Sequence, residues 1–232
     1  RHDGSISIDA EAVGLDDRPT SIEAELMEGG AFRGTAPVAR GGARVFGKVT
    51  DIQPWSAESP HLFTLEVRLV RDGEILHRRR ERIGFRTVRL DERGFFLNGT
   101  RVFLKGINRH DSWPATGRAI TRERAYADAE MIRSLGFNAV RTAHYPPTHW
   151  FLEACDELGL YVLDELPGWH DAYDTGVGIP LVSEMVRRDV NHPSIVAWAN
   201  GNEGGWNEDL IPSFYEHDLQ QRPVILPDTI HD

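Results

Sequence analysis

Between residues 5 and 13 the chain alternates, with Ile6, Ile8, Ala10 and Ala12 on one side and Ser7, Asp9 and Glu11 on the other. A two-residue period of this kind predicts a strand with one buried face. Residues 22–26 and 45–49 repeat it more weakly. Residues 62–70 repeat it most clearly, with Phe63, Leu65, Val67 and Leu69 facing one way and Thr64, Glu66 and Arg68 the other. Asp72-Gly73 is a hairpin signal, because the two-residue turn that suits twisted strands needs positive φ at both positions, and residues 74–82 are the expected return strand. Short strands at this spacing, with Gly and Pro between them, predict a small antiparallel sandwich. The basic run 77–82 then reads as a solvated strand face.

After about Thr87 the rhythm changes. Residues 95–97, the pair Asn98-Gly99 and residues 101–104 give a second hairpin signal. From there strands and helices alternate. An apolar strand at 102–107 leads to a helix capped by Thr121 that runs to about Leu135, with Gly136 just past its end. A strand at 137–140, a helix at 148–158 closed by Gly159, and a strand at 160–163 follow. A helix at 180–190, a strand at 195–199, a helix at 208–219 and the start of a strand at 224–226 complete the series. This order predicts a parallel sheet, and in that class of fold ligands gather at the carboxyl ends of the strands.

Each predicted strand of the second part runs into costly polar groups. The first leads to Asn108-Arg109-His110-Asp111, the second to Arg141-Thr142-Ala143-His144-Tyr145-Pro146, the third to Asp164-Glu165 and the fourth to Asn200-Gly201-Asn202-Glu203. One such His or Glu alone is more readily a cap or an ion-pair partner; four clusters at one end of a sheet predict a convergent site. The chain has no Gly-rich phosphate loop, no HExxH and no nucleophile elbow. Carboxylates beside Asn, His, Arg and Trp match a neutral, hydroxyl-rich ligand, since planar donors and acceptors pair with hydroxyls and indole faces stack on sugar C–H surfaces. Trp113, Trp169, Trp198 and Trp206 lie near these clusters, Trp198 reading equally well as core. Residue types and spacing therefore point to a carbohydrate site on a β/α barrel.

Composition narrows the rest. The chain has 232 residues, 40% hydrophobic and 27% charged, which suits a globular protein with a sizeable core. A net charge of −10 opposes phosphate backbones, so no nucleic-acid partner is expected. No apolar run approaches the roughly 20 residues needed to cross a bilayer, so no membrane partner is expected either. Cys155 is the only cysteine, which excludes disulfide frameworks, zinc ribbons and CxxC redox sites within the chain. The first residue is Arg1 and not Met, so a natural start is expected upstream, and cellular location is not legible.

From about Trp55 to Glu203 the sequence resembles glycoside hydrolase family 2, which includes β-galactosidases, β-glucuronidases and β-mannosidases. The resemblance rests on Trp55-Ser56-Ala57-Glu58-Ser59-Pro60-His61-Leu62-Phe63, Gly84-Phe85-Arg86, Leu97-Asn98-Gly99 and Lys105-Gly106-Ile107-Asn108-Arg109-His110-Asp111. It continues through Asn138-Ala139-Val140-Arg141-Thr142-Ala143-His144-Tyr145-Pro146 with Asp156 and Gly159-Leu160-Tyr161-Val162. It ends with the run from Asp189 through His192-Pro193-Ser194 and Trp198 to Asn202-Glu203. It implies an immunoglobulin-like β-sandwich over residues 1–87 and the first part of a TIM (β/α)8 barrel over 88–232, truncated near strand five.

The resemblance also implies roles. Glu203 matches the acid/base of a retaining mechanism, a role that needs a pKa near working pH. Asn202 matches the residue that binds the sugar's 2-hydroxyl. Arg141, His144 and His110 resemble groups that order the pocket and contact the sugar, Asp164 a residue of the pocket floor, and Trp206 a further substrate contact. The nucleophile of the family lies on a later barrel strand, so these 232 residues are expected to be an excerpt that is inactive alone. Glu165, which follows strand three next to strand four, matches a structural or substrate-orienting position. Some β-galactosidases hold magnesium through a Glu-x-His after strand three; Gly168-Trp169-His170 lacks that Glu, so no magnesium is expected at that place, and the sequence implies no other metal or cofactor. Asn-Arg-His-Asp at 108–111, with Pro114 and Thr116-Gly117-Arg118, favours the β-galactosidase branch, while Trp113 stands where many of its members have His. A β-glucuronidase and a non-catalytic carbohydrate-binding relative are the alternatives, and the full-length protein is open to homo-oligomer formation.

Overall fold

The computed structural model describes residues 2–28, 32–39 and 41–227. The chain divides into two compact units, Arg1–Pro54 with His61–Phe85, and Trp55–Pro60 with Arg86–Asp232.

The first unit is the expected antiparallel sandwich. Strands β1 (His2–Glu11) and β4 (Gly42–Ile52) pair as one sheet; β2 (Ser21–Leu26), β3 (Arg33–Pro37), β5 (Phe63–Arg71) and β6 (Glu74–Ile83) form the other, in the order β3-β2-β5-β6. Ile6, Val45, Val49 and Ile52 from one sheet and Ile22, Ala24, Leu26, Phe63 and Leu65 from the other are buried in one cluster. That is the face the alternation predicts. Strand β3 has no apolar alternation, and it is held by its ladder to β2 at the sheet edge, where Pro37 is tolerated. The opposite edge, β6, exposes most of its arginines. A charged edge of this kind resists pairing with a second chain. Arg80 Nε (2.8 Å) and Arg78 Nε (3.5 Å) from β6 also cover Glu66 of β5, and the Arg80 hydrogen bond holds that carboxyl below its usual range.

The second unit opens with a small antiparallel sheet of β7 (Val88–Asp91), β8 (Gly94–Leu97) and β9 (Thr100–Arg101), which turns at Asn98-Gly99 as expected. Five strands then pair in parallel and in chain order: β10 (Gly106–Arg109), β11 (Ala139–Thr142), β12 (Tyr161–Trp169), β13 (Ile195–Asn202) and β14 (Val224–Ile225). Helices α1 (Arg122–Ser134), α2 (His149–Leu158), α3 (Thr175–Asp189) and α4 (Ile211–His217) lie between them in sequence. Val140, Val162, Leu166, Ile195 and Trp198 from the strands pack on Ala129, Phe151, Cys155, Val186 and Phe214 from the helices. The order and the packed layer are those of the first part of a β/α barrel.

Several bounds differ from the sequence reading. Helix α3 starts five residues before Pro180. Asp174 caps it by accepting from Val177 N (3.0 Å), and tight packing of Gly178 on Leu210 outweighs the poor propensity of its glycine-rich first turn. The single helix expected at 208–219 is a short 3-10 turn, Glu208–Leu210, followed by α4 with Pro212 in its first turn. It stops early because Asp218 leaves the helix to bind Trp198 Nε1 (2.9 Å) and Arg222 Nε (2.8 Å). Helix α2 ends as predicted at Gly159, whose φ is +78° and where a Cβ would lie 2.1 Å from Ala57 O.

Asp156 fixes the approach to β13. Its carboxylate takes Ser194 N (3.0 Å) and His192 Nδ1 (2.5 Å). Burial alone would lower the His192 pKa, but the hydrogen bond and charge of Asp156 outweigh it and leave that pKa above 6.5. The stability this pair contributes is therefore fully present below about 6.5 and falls as pH rises through the raised value. In thermal melts of the complete protein, His192→Asn should cost most below pH 6 and progressively less above pH 7; a cost independent of pH would contradict the pairing.

Candidate active site

Strand parity decides which polar residues meet. Val162 and Leu166 of β12 pack in the helix layer, so Asp164 between them faces that layer while Leu163 and Glu165 face the other side. In β11, Val140 packs against the helices and Arg141 points away from them. Asp164 is accordingly fully buried, bonded to Thr142 Oγ1 (3.2 Å) and packed against Asp189 of α3. Burial, then the Asp189 charge, push its carboxyl well above the usual range. Asp164, expected on the pocket floor, here joins the sheet to α3.

Glu165 is the hub on the other side. It too is fully buried, and it holds Arg141 Nε at 2.5 Å through one oxygen and His144 Nδ1 at 2.9 Å through the other. A carboxylate only accepts, so His144 Nδ1 carries the proton and its Nε2 is left for other partners. Arg141 Nη2 in turn donates to Asn202 Oδ1 at 2.6 Å. Burial raises the Glu165 pKa, while the charge of Arg141 and the hydrogen bond from His144 oppose the rise. Arg141, His144 and Asn202 are thus brought together across β11, β12 and β13. His110 joins them, its exposed ring 5.3 Å from the His144 ring and 5.9 Å from that of Tyr145. The rest of the first cluster is structural. Arg109 pairs with Asp111 and Asp128, and Asp111 accepts from Thr148 N (2.6 Å) at the start of α2.

Glu203 follows β13 with its side chain half exposed and φ at +45°. The turn that carries it lies on the end of β12, because Gly201, Gly205 and Gly168 have no side chains. A Cβ on Gly201 would lie 2.0 Å from Gly205 O, and one on Gly205 2.5 Å from Trp169 N. Trp169 Nε1 thereby donates to Glu203 Oε2, and His170 Nε2 lies 3.8 Å from the same oxygen. Trp206 sits half-buried in the same turn, and it is Trp169, not Trp206, whose indole bonds to the carboxylate. The Trp169 hydrogen bond holds the Glu203 pKa below its usual value; burial opposes it weakly, and the charges of His170 and His144 and a hydrogen bond from Asn202 assist.

Trp198 resolves as core, fully buried under Arg222 at 4.5 Å. Gly168, Trp169 and His170 carry one imidazole and no carboxylate. The assembled groups suit binding of hydroxyls and transfer of a proton: an accessible carboxyl, an oriented amide, two imidazoles and an exposed indole 65% open to solvent.

Comparison with known proteins agrees with this geometry. The family model "Glycosyl hydrolases family 2, TIM barrel domain" matches residues 88–226, and the model "Glycosyl hydrolases family 2" matches residues 4–86. The chain is 37% identical to a β-galactosidase of Bifidobacterium adolescentis over 80% of its own length and 20% of that protein's. It is 34% identical to a β-galactosidase of Streptococcus thermophilus over 95% and 24% of the two chains, and 37% identical to a putative β-glucuronidase of Formosa agariphila over 71% and 21%. It spans about a fifth to a quarter of the length of these relatives. Among solved structures, a β-glycosidase from Bacteroides vulgatus superposes with a TM-score of 0.84 at 26% identity, over 96% of this chain and 33% of that one. A Bifidobacterium dentium β-glucuronidase complexed with coumarin-3-O-glucuronide gives 0.85 at 26% identity, over 97% and 40%.

Proposed function

This chain belongs to glycoside hydrolase family 2, its first unit the family's immunoglobulin-like domain and its second part of the family's TIM barrel, and on that premise we propose that the complete protein is a retaining exo-β-glycosidase. Its substrates are terminal non-reducing β-galactosides, and Glu203 is its acid/base. The observation that supports this most is the accessible Glu203 carboxyl beside an Asn202 amide whose oxygen is taken by Arg141. Glu203 protonates the departing glycosidic oxygen and later draws a proton from water, while Asn202 binds the 2-hydroxyl. His110 and His144 bind further hydroxyls, and the exposed indole of Trp169 supplies an apolar face to the sugar ring.

Retention needs a second carboxylate about 5–5.5 Å from the first, acting as nucleophile. Glu165 is poorly suited to that role, since it is fully buried and both its oxygens are taken by Arg141 and His144. We assign the nucleophile to sequence outside these 232 residues. The arriving carboxylate would also raise the Glu203 pKa, because two neighbouring negative charges disfavour each other, and so offset the lowering by Trp169.

A β-glucuronidase reading draws on the Formosa agariphila and Bifidobacterium dentium relatives. Against it, the Arg141 charge is committed to Glu165, so a uronate would need cations from elsewhere in the complete protein. Kinetics of the complete protein on aryl β-galactosides, β-glucuronides and β-mannosides separate the readings. The galactoside is expected to exceed the others in kcat/KM by about 10²-fold. A preference for the glucuronide would replace the substrate assignment, and sugar binding without turnover would favour a non-catalytic relative.

A further inference from the structure

The three groups that link β12 to β13 form a directional relay. Glu165 cannot donate while ionised, Arg141 cannot accept, and an amide can do either depending on which way it is turned. Arg141 Nη2 at 2.6 Å therefore pairs with the oxygen of Asn202 and fixes the amide with its nitrogen on the remaining side. That nitrogen, Nδ2, is buried and turned toward the neighbouring Glu203 carboxyl, without a hydrogen bond of full geometry. An Arg141 free to rotate would leave the amide free to flip. What opposes rotation is the Glu165 carboxylate, in ion-pair contact 2.5 Å from Arg141 Nε and 2.9 Å from His144 Nδ1, and itself steadied by Glu165 N donating to Thr142 Oγ1 at 3.1 Å.

We infer that Glu165 is a positioning residue that holds Arg141 against Asn202 and thereby commits Asn202 to present its Nδ2 donor, and not its oxygen, to the ligand. The inference rests on the proposed glycosidase function and gives Glu165 a specific task within it. The ligand group so selected is an oxygen that accepts a hydrogen bond, such as a sugar hydroxyl beside the reacting centre.

The test uses the complete enzyme. Glu165→Gln is expected to lower kcat/KM on its best aryl glycoside by about 10²-fold, the scale of a misplaced binding group. The loss is expected in kcat more than in KM, because the contact to a hydroxyl beside the reacting centre strengthens in the transition state. Arg141→Gln should produce a comparable loss, and the double variant E165Q/R141Q should fall within about threefold of R141Q alone, since residues acting through one contact are not additive. The double variant removes both buried charges together, so it reports even where E165Q folds poorly. A wild-type-like rate in E165Q, a loss confined to KM, or full additivity in the double variant would overturn the positioning role. Absence of glycosidase activity in the wild-type enzyme would instead overturn the proposed function.

Discussion

Glu203→Gln in the complete protein is expected to lower kcat on aryl β-galactosides by about 10²–10⁴-fold, the range that positioned proton transfer contributes. The loss should depend on the leaving group. A phenolate of low pKa departs without a proton, so the first step suffers little, whereas a poor leaving group needs the proton that Gln lacks. The variant should therefore show a steeper dependence of kcat/KM on leaving-group pKa than the wild type. The structure gives the reason for choosing Glu203: its side chain is half exposed, whereas Asp164 and Glu165 are fully buried. A variant with the wild-type dependence would move proton transfer to another group.

The second large effect concerns the fold around β13. Asp218 and Arg222 are both buried, and Asp218 also accepts from Trp198 Nε1 and from Arg222 N (3.1 Å). Burial alone would raise the Asp218 pKa, but the hydrogen bond and charge of Arg222 outweigh it and leave it lowered. Arg86 packs near by, donating to Ile195 O at 2.7 Å, its pKa pulled down to about 9 by burial and by Arg222 and held up in part by Asp218. Asp218→Ala leaves the buried Arg222 guanidinium without its counter-charge and an indole without its acceptor. The expected cost is about 3–5 kcal/mol, measured by denaturation of the complete protein. Asp218→Asn should cost less, because its amide oxygen still accepts from Trp198. A loss below about 1 kcal/mol for the alanine variant would show that the Arg222 charge finds other partners.

Much of the architecture was legible because burial leaves a period. The alternation in Leu62–Val70 predicted which face of β5 meets the core, and Asp72-Gly73 and Asn98-Gly99 marked turns that do adopt positive φ. Strand β3 escaped notice because its residues carry almost no apolar signal and its place is set by pairing to β2. The start of α3 escaped because Gly176 and Gly178 read as loop, while the packing of Gly178 on Leu210 is a tertiary fact.

The site was legible as a neighbourhood and less so as a set of contacts. Strand-end clusters located Arg141, His144, Asn202 and Glu203, but not which member of Asp164-Glu165 faces them. The parity of Val162 and Leu166 carried that answer, since a residue two places from each must share their side. The choice of Trp169 over Trp206 at Glu203 depends on a glycine-lined close approach between β12 and the turn after β13, which no local pattern reveals.

The account's central claim is retaining hydrolysis of β-glycosides with Glu203 as acid/base. Proton NMR of the first sugar released by the complete protein from an aryl β-galactoside tests it most directly. The β-anomer is expected to appear first and then to mutarotate; release of the α-anomer first, or no release at all, would contradict it.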